Sequence, residues 1–199
     1  MTLLIIDTAT ERAIVAIIKD GTLLSKKELP FGLKSSEHLL PILESETLGQ
    51  GVDVQTDLEG IIVGIGPGSY TGTRVGVMAA KAISYATSTP LVGIPTLAAL
   101  LNEDEPTCAS MIDAKSQGVY LMRPGGSPIL VPIEKIDDAL DGVKTIVTPN
   151  LSGVQFKVTR EVEWVESAPN PMRLASLGLS KLSAGEYSIN GELDILYLR

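Results

Sequence analysis

Residues 4–24, LIIDTATERAIVAIIKDGTLL, read as a strand, an acidic turn, a second strand, a tight turn and a third strand. The apolar run Leu4–Ile6 and the run Ile14–Ile18 favour strands, and Lys19-Asp20-Gly21 supplies the glycine that a hairpin turn needs for a positive φ. Residues 110–130, SMIDAKSQGVYLMRPGGSPIL, repeat this pattern at an offset of 106, so that Ile6-Asp7 falls on Ile112-Asp113 and Pro124-Gly125-Gly126 takes the place of the tight turn. A helical stretch follows each triplet, Glu37–Glu46 and then Ile133–Leu140, and each helix leads to a further strand, Ile61–Ile65 and Lys144–Thr148. The order β-β-β-α-β occurring twice predicts an α/β chain of two lobes, residues 1–105 and a shortened 106–199, divided at the polar stretch 102–106, NEDEP.

Outward from these units, the first lobe continues with a helix over Gly72–Ala86, a short strand over Leu91–Ile94 and a brief helix opened by Pro95-Thr96. The second lobe is less regular through 149–169. Its last clear helix is Pro171–Ala184, with Asn170 as N-cap, Pro171 in the first turn and Gly185 as the stop.

Composition narrows the function classes. The 199 residues are 44% apolar and 20% charged, which is the balance of a globular protein. No apolar run approaches the ~20 residues needed to span a bilayer. The start, MTLLIIDT, has no basic region before its apolar residues, so a cytoplasmic protein is expected. A net charge of −8, negative in both halves, opposes autonomous binding to nucleic acid; the one basic grouping, Lys26, Lys27 and Lys34, reads as a solvated surface. Cys108 is the single cysteine and reads as a buried thiol. His38 is the single histidine, so a two-histidine metal site is impossible, and neither a metal nor a cofactor is expected. A Ser-His-Asp triad would have to use His38, and no Gly-x-Ser-x-Gly elbow accompanies it.

Two features carry candidate chemistry. Residues 64–76, GIGPGSYTGTRVG, place five glycines between a buried strand and a helix. They suit either a phosphate cradle or a tight turn with close packing, and the dinucleotide and P-loop spacings are both absent. The acidic strand ends, Asp7 with Thr8 and Thr10, and Asp113 with Lys115 and Ser116, suit either one shared cleft for hydrated magnesium and phosphate or ordinary turns. The helix after the glycines is apolar nearly all round. Its small residues Gly72, Gly76, Ala80 and Ser84 recur every fourth position, which allows close approach of another helix, and Leu39, Leu40 and Leu43 form an apolar stripe on the helix before it.

These segments together resemble the TsaB (YeaZ) family: LLIIDTAT at the start, SEHLLPIL at 36–43, GPGSYTGTRVG at 66–76 leading into AAKAISYA, VGIPTLAAL at 92–100, IDAKSQGVY at 112–120 and the terminal LYLR at 196–199. The family's usual basic-Gly-Glu-Val-Tyr pattern is here Ser116, Gln117, Gly118, Val119, Tyr120, and Ile195 stands where a proline is usual. The resemblance implies an actin-like, Hsp70-like ATPase fold (ribonuclease H-like) and a non-catalytic paralogue of the transferase subunit TsaD. That subunit moves a threonylcarbamoyl group from threonylcarbamoyl-AMP to the adenosine beside the anticodon of tRNA. It further implies a scaffold subunit that pairs with a TsaD-like transferase as a heterodimer, is joined by a TsaE-like ATPase, meets tRNA only through the complex, and is open to homodimer formation when isolated. By similarity, the pairing surface is the two first-lobe helices, with Glu37, His38, Leu39, Leu40, Leu43, Gly72, Arg74, Val75, Gly76, Ala79, Ala80 and Ile83. Asp7, Thr8, Thr10, Gly66, Gly68 and Asp113 would line a vestigial nucleotide cleft. Two other classes stand against this reading: an active small-molecule kinase or ATPase, which would need an adenosine-binding glycine pair after Gly126, and a glycoprotease-like peptidase, which would need metal ligands or a triad.

Overall fold

The computed structural model describes residues 1–29, 35–102 and 104–198, so Lys34 of the basic grouping, Glu103 of the expected boundary and Arg199 of LYLR lie outside the described residues, as do the side chains of Ser35 and Ser36. Strands β1 (Thr2–Asp7), β2 (Ile14–Lys19) and β3 (Thr22–Glu28) form an antiparallel meander. After α1 (Ser35–Gly49), β4 (Gly60–Gly64) pairs parallel to β1; α2 (Tyr70–Thr87) then leads to β5 (Leu91–Ile94), parallel to β4. The sheet order is β3-β2-β1-β4-β5. Helix α1 carries Pro41 in its interior.

Past α3 (Thr96–Leu100), the second copy builds β6 (Cys108–Asp113), β7 (Val119–Met122), β8 (Ile129–Val131), β9 (Thr145–Thr148) and β10 (Glu163–Glu166) in the order β8-β7-β6-β9-β10. Position for position this is the first sheet again, and β6 sits at the 106-residue offset from β1. Two mixed sheets of this order are the actin-like, ribonuclease H-like arrangement. The helix expected at Ile133–Leu140 is a 3-10 turn, Ile133–Lys135, followed by the short α4 (Ile136–Ala139). The irregular stretch before the last helix contains α5 (Leu151–Val154) as well as β10.

Alternation along the first sheet sorts its residues to two faces. Leu4, Ile6, Val15, Ile17, Ile61 and Val63 meet α1 and α2 on one side, while Leu3, Ile5, Ile14, Ile18, Ile62 and Val92 meet α3 and the second lobe on the other. Burial on both faces explains why β1 and β2 read as continuous apolar runs. Each fully buried Leu or Ile here stabilises the fold by about 1.5–3 kcal/mol. The second core contains Cys108, Ile112, Met122 and Val147, so the two lobes share one apolar interior, and Cys108 is the buried thiol expected.

The chain's end departs from the expected division at residue 105. Helix α6 (Pro171–Ser183), capped by Asn170, lies against β4 and β5, and Gly178 lets it approach so closely that a Cβ there would sit 2.4 Å from Ile62. Residues 186–197 continue along the first lobe: Ser188 pairs with Leu91, and Leu193 and Ile195 join the core beneath α2. The second lobe is therefore built by 108–166, and 171–197 returns to the first. Leu174, Ala175 and Gly178 form the apolar face of α6, and that face is complementary to the first sheet.

Candidate functional site

The glycines of 64–76 serve the turn that follows β1. A Cβ on Gly64 would fall 2.0 Å from Asp7 Oδ2, one on Gly68 would fall 2.1 Å from the Ala9 carbonyl oxygen, and one on Gly72 would fall 2.2 Å from the Thr8 carbonyl oxygen. The loop is thus pressed onto the backbone of Thr8 and Ala9, with the Ser69 N–H donating to the Ala9 carbonyl at 2.7 Å and the Thr8 hydroxyl to the Gly72 carbonyl at 2.6 Å. Ser69 caps α2, accepting from the Gly72 N–H at 3.2 Å, while its carbonyl accepts from the Thr73 N–H. Each of these glycines therefore has a packing reason, the close contact of the loop with the first turn.

The same geometry corrects the expected pairing set. Gly76 faces Thr8, whose Oγ1 would lie 2.2 Å from an added Cβ, and Gly72, Gly76, Ala80 and Ser84 are all buried. The row of small residues admits strand β1, not a partner helix. Leu39 and Leu43 are likewise inside the core. Of the remaining expected residues, Glu37, Leu40 and Arg74 are exposed, and His38, Val75, Ala79 and Ile83 are half-buried.

Asp7 ends β1 fully buried. Its Oδ1 accepts from the Ala9 N–H at 3.0 Å, whereas neither Oδ2 nor the buried Thr96 hydroxyl completes a hydrogen bond of normal geometry among the described residues. Burial pushes the carboxyl from 3.8 up to about 6, against the Ala9 N–H and the Thr96 hydroxyl, which favour the anion. The native state therefore holds a proton that the unfolded chain releases at lower pH. The ionised carboxylate costs the fold on the order of 3 kcal/mol at most above the native pKa, and this cost is relieved as pH falls through it. Stability should rise between pH 7.5 and 5, a window above that in which the lowered carboxyls Asp20, Glu28, Asp113 and Asp137 act. Urea midpoints across this window check it; an Asp7→Asn chain should lose the slope, and an undiminished slope would assign it elsewhere.

Asp113 ends β6 in the matching place, and a residue outside the expected set occupies it. Lys157, its side chain only 5% exposed, donates to Asp113 Oδ1 at 2.6 Å and to the carbonyls of Lys115 and Gly118 at 2.7 and 2.9 Å. Lys115 Nζ reaches Asp113 Oδ2 at 3.0 Å and lies 3.9 Å from Glu11 of the first-lobe turn. Burial works to raise the Asp113 pKa, but Lys157 and Lys115 outweigh it and hold the carboxyl below its ordinary range. Lys115 thus links the second acidic turn to Glu11 of the first. Thr8 and Thr10 are buried in the first turn, and Gly68 is pressed against its Ala9 carbonyl. Among the described residues no three His, Cys, Asp or Glu converge on one point. Sequence reasoning missed Lys157 because a lone lysine in an irregular stretch carries no periodic signal.

On its outward face α2 presents large side chains to solvent. Met78 is 61% and Tyr85 75% exposed, with Ala82 exposed between them, and on the neighbouring α1 Leu40 is 59% and Leu48 70% exposed. The spacing Arg74, Met78, Ala82, Tyr85 marks the face opposite the small-residue row and was available in the sequence. No helix of the described residues is long and apolar enough to cross a membrane.

With this geometry established, residues 33–166 match the family model described as TsaD: tRNA N6-adenosine threonylcarbamoyltransferase. The Escherichia coli tRNA threonylcarbamoyladenosine biosynthesis protein TsaB is 35% identical over 97 residues, and the structure of YeaZ from Pseudomonas aeruginosa superposes with a TM-score of 0.82 at 25% identity, covering 99% of both chains. The chain belongs to that family, and within it to TsaB (YeaZ).

The Bacillus subtilis TsaB is 30% identical over 123 residues, which is 60% of this chain and 53% of that protein. The E. coli match covers 49% of this chain and 41% of the relative, so the chain is matched to about half the length of these curated TsaB proteins. The family-model match takes in α1, the glycine loop, α2 and the Asp113–Lys157 turn. It stops before α6 and the returning tail, whose place in this TsaB-family chain rests on the packing described above.

Proposed function

We propose that the chain is a scaffold subunit in the formation of threonylcarbamoyladenosine in tRNA, without chemistry of its own, pairing with a TsaD-type transferase. The observation that carries this reading is the outward apolar face of α2, Met78, Ala82 and Tyr85, together with the exposed Leu40 and Leu48 of the neighbouring α1. An exposed apolar strip with aromatic and methionine side chains suits a protein interface. Its residues are then Glu37, His38, Leu40, Arg74, Val75, Met78, Ala79, Ala82, Ile83 and Tyr85, with Leu39, Leu43, Gly72, Gly76 and Ala80 supporting them from within. The transferase subunit performs the chemistry: the exocyclic amine of adenosine attacks the carbamoyl carbon, and AMP leaves. A TsaE-type ATPase joins the pair, tRNA is met only through the assembly, and the whole acts in the cytoplasm.

The test is a calorimetric titration of this chain with the TsaD-type subunit of the same organism. Met78→Asp should leave the melting temperature unchanged and weaken pairing by on the order of 2 kcal/mol or more, the loss expected at a central interface residue. Unaltered pairing of the Met78 variant would remove the α2 face from the account.

A further inference from the structure

Two of the motifs that characterise the sequence, the glycine segment containing Arg74 and the terminal LYLR containing Tyr197, meet on the surface through these two residues, 123 positions apart. The tail is guided there by Ser188, which pairs with Leu91, by Leu193, packed on Gly93, and by the Leu196 N–H, which donates to the Ile65 carbonyl at 3.0 Å. Arg74 Nε then donates to the Tyr197 hydroxyl at 3.0 Å, the guanidinium lies 3.9 Å over the Tyr70 ring, and the two tyrosine rings are 5.9 Å apart. Tyr70 remains 59% and Tyr197 48% exposed, so the cluster hides little surface within this chain. It instead fixes an otherwise mobile arginine by its face and by one nitrogen. The hydrogen bond to Tyr197 uses Nε and leaves the Nη side of the exposed guanidinium beside the Tyr70 ring, and Met78 follows one helical turn along the same face.

We infer that the C-terminal segment is part of the pairing surface: Tyr197 holds Arg74 in place to receive, through its two Nη groups, a carboxylate of the transferase-type subunit. This inference rests on the pairing proposed above. A guanidinium fork fixed beside aromatic and apolar side chains matches an Asp or Glu flanked by apolar residues. Charge argues for a protein carboxylate over an RNA phosphate, because a single arginine on a chain of net charge −8 cannot offset the repulsion of a polyanion. Tyr197 is a positioning residue, acting through Arg74.

Five variants and the unmodified chain, titrated with the TsaD-type subunit, test this. Arg74→Ala should weaken pairing on the order of tenfold or more, Tyr197→Ala should weaken it several-fold, and the double variant should be no weaker than Arg74→Ala alone, the non-additivity of two residues serving one contact. Tyr197→Phe, which keeps the ring and loses the hydroxyl, should fall between Tyr197→Ala and the unmodified chain. Unchanged pairing of Tyr197→Ala, with Met78→Asp still abolishing it, overturns the inference and leaves the α2 surface standing. Unchanged pairing of both Tyr197→Ala and Met78→Asp rejects the underlying surface as well. Normal pairing with reduced retention of tRNA by the assembled complex in the Arg74 variant would assign the arginine to RNA and overturn the inference.

Discussion

Gly76→Arg is expected to prevent the first lobe from folding, so that no soluble, cooperatively melting chain is recovered. A side chain at 76 must begin 2.2 Å from Thr8 Oγ1 and 3.4 Å from the Ile6 side chain, where α2 lies directly on β1. Opening that space lifts the helix off the sheet and breaks the Thr8–Gly72 hydrogen bond, and overpacking alone costs about 1–3 kcal/mol. Burying the guanidinium without a partner adds several kcal/mol, against a typical total stability of about 5–15 kcal/mol. Gly76→Ala, which adds the Cβ alone, should fold with a lowered melting temperature. Circular dichroism of the two variants decides the matter. A Gly76→Arg chain that melts like the unmodified protein would mean that α2 presents its small-residue row outward, contrary to the packing described.

Lys157→Met is expected to destabilise the second lobe by about 3–5 kcal/mol, the cost of breaking a buried ion pair from one side. The substitution leaves Asp113, whose side chain is only 10% exposed, with the solvent-exposed Lys115 at Oδ2 as its remaining cation, and it strips two carbonyls of their donor. Asp113→Asn combined with Lys157→Met should cost less than the sum of the two single changes, because neither charge is then left buried alone. Urea unfolding of the four chains measures this cycle; additive losses would show that the pair is not coupled. The contrast with Met78→Asp matters for function: Lys157 sustains the fold at the second acidic turn, whereas Met78 is exposed and should be dispensable to it.

The duplicated β-β-β-α-β order was legible because strands buried on both faces leave continuous apolar runs, and because Asp7 and Asp113 end equivalent strands at one offset. The orientation of α2 was not. Glycine and alanine at every fourth position permit close approach by a helix or by a strand alike, and the deciding neighbour, the backbone of Thr8 and Ala9, lies some 60 residues upstream. Helix α6 was correctly bounded by its cap and its stop, yet nothing local reveals that its Gly178 rests on Ile62 of the other lobe. Tyr197 stood in a recognised motif without a role, since its partner Arg74 becomes a neighbour only when the tail runs back along β5. Local chemistry thus marked elements and their ends, while contacts between distant segments determined which face of each element is free.

On the proposed scaffold role, this chain contributes a surface and its partner contributes the chemistry. Reconstitution of threonylcarbamoyl transfer to an unmodified tRNA, from threonylcarbamoyl-AMP and with each subunit omitted in turn, addresses that role most directly. The expected result is no transfer by this chain alone, little by the TsaD-type subunit alone, full transfer by the two together, and a sharp fall when Met78→Asp replaces the unmodified chain. Transfer by this chain in the absence of the TsaD-type subunit, or full transfer without this chain, would contradict it.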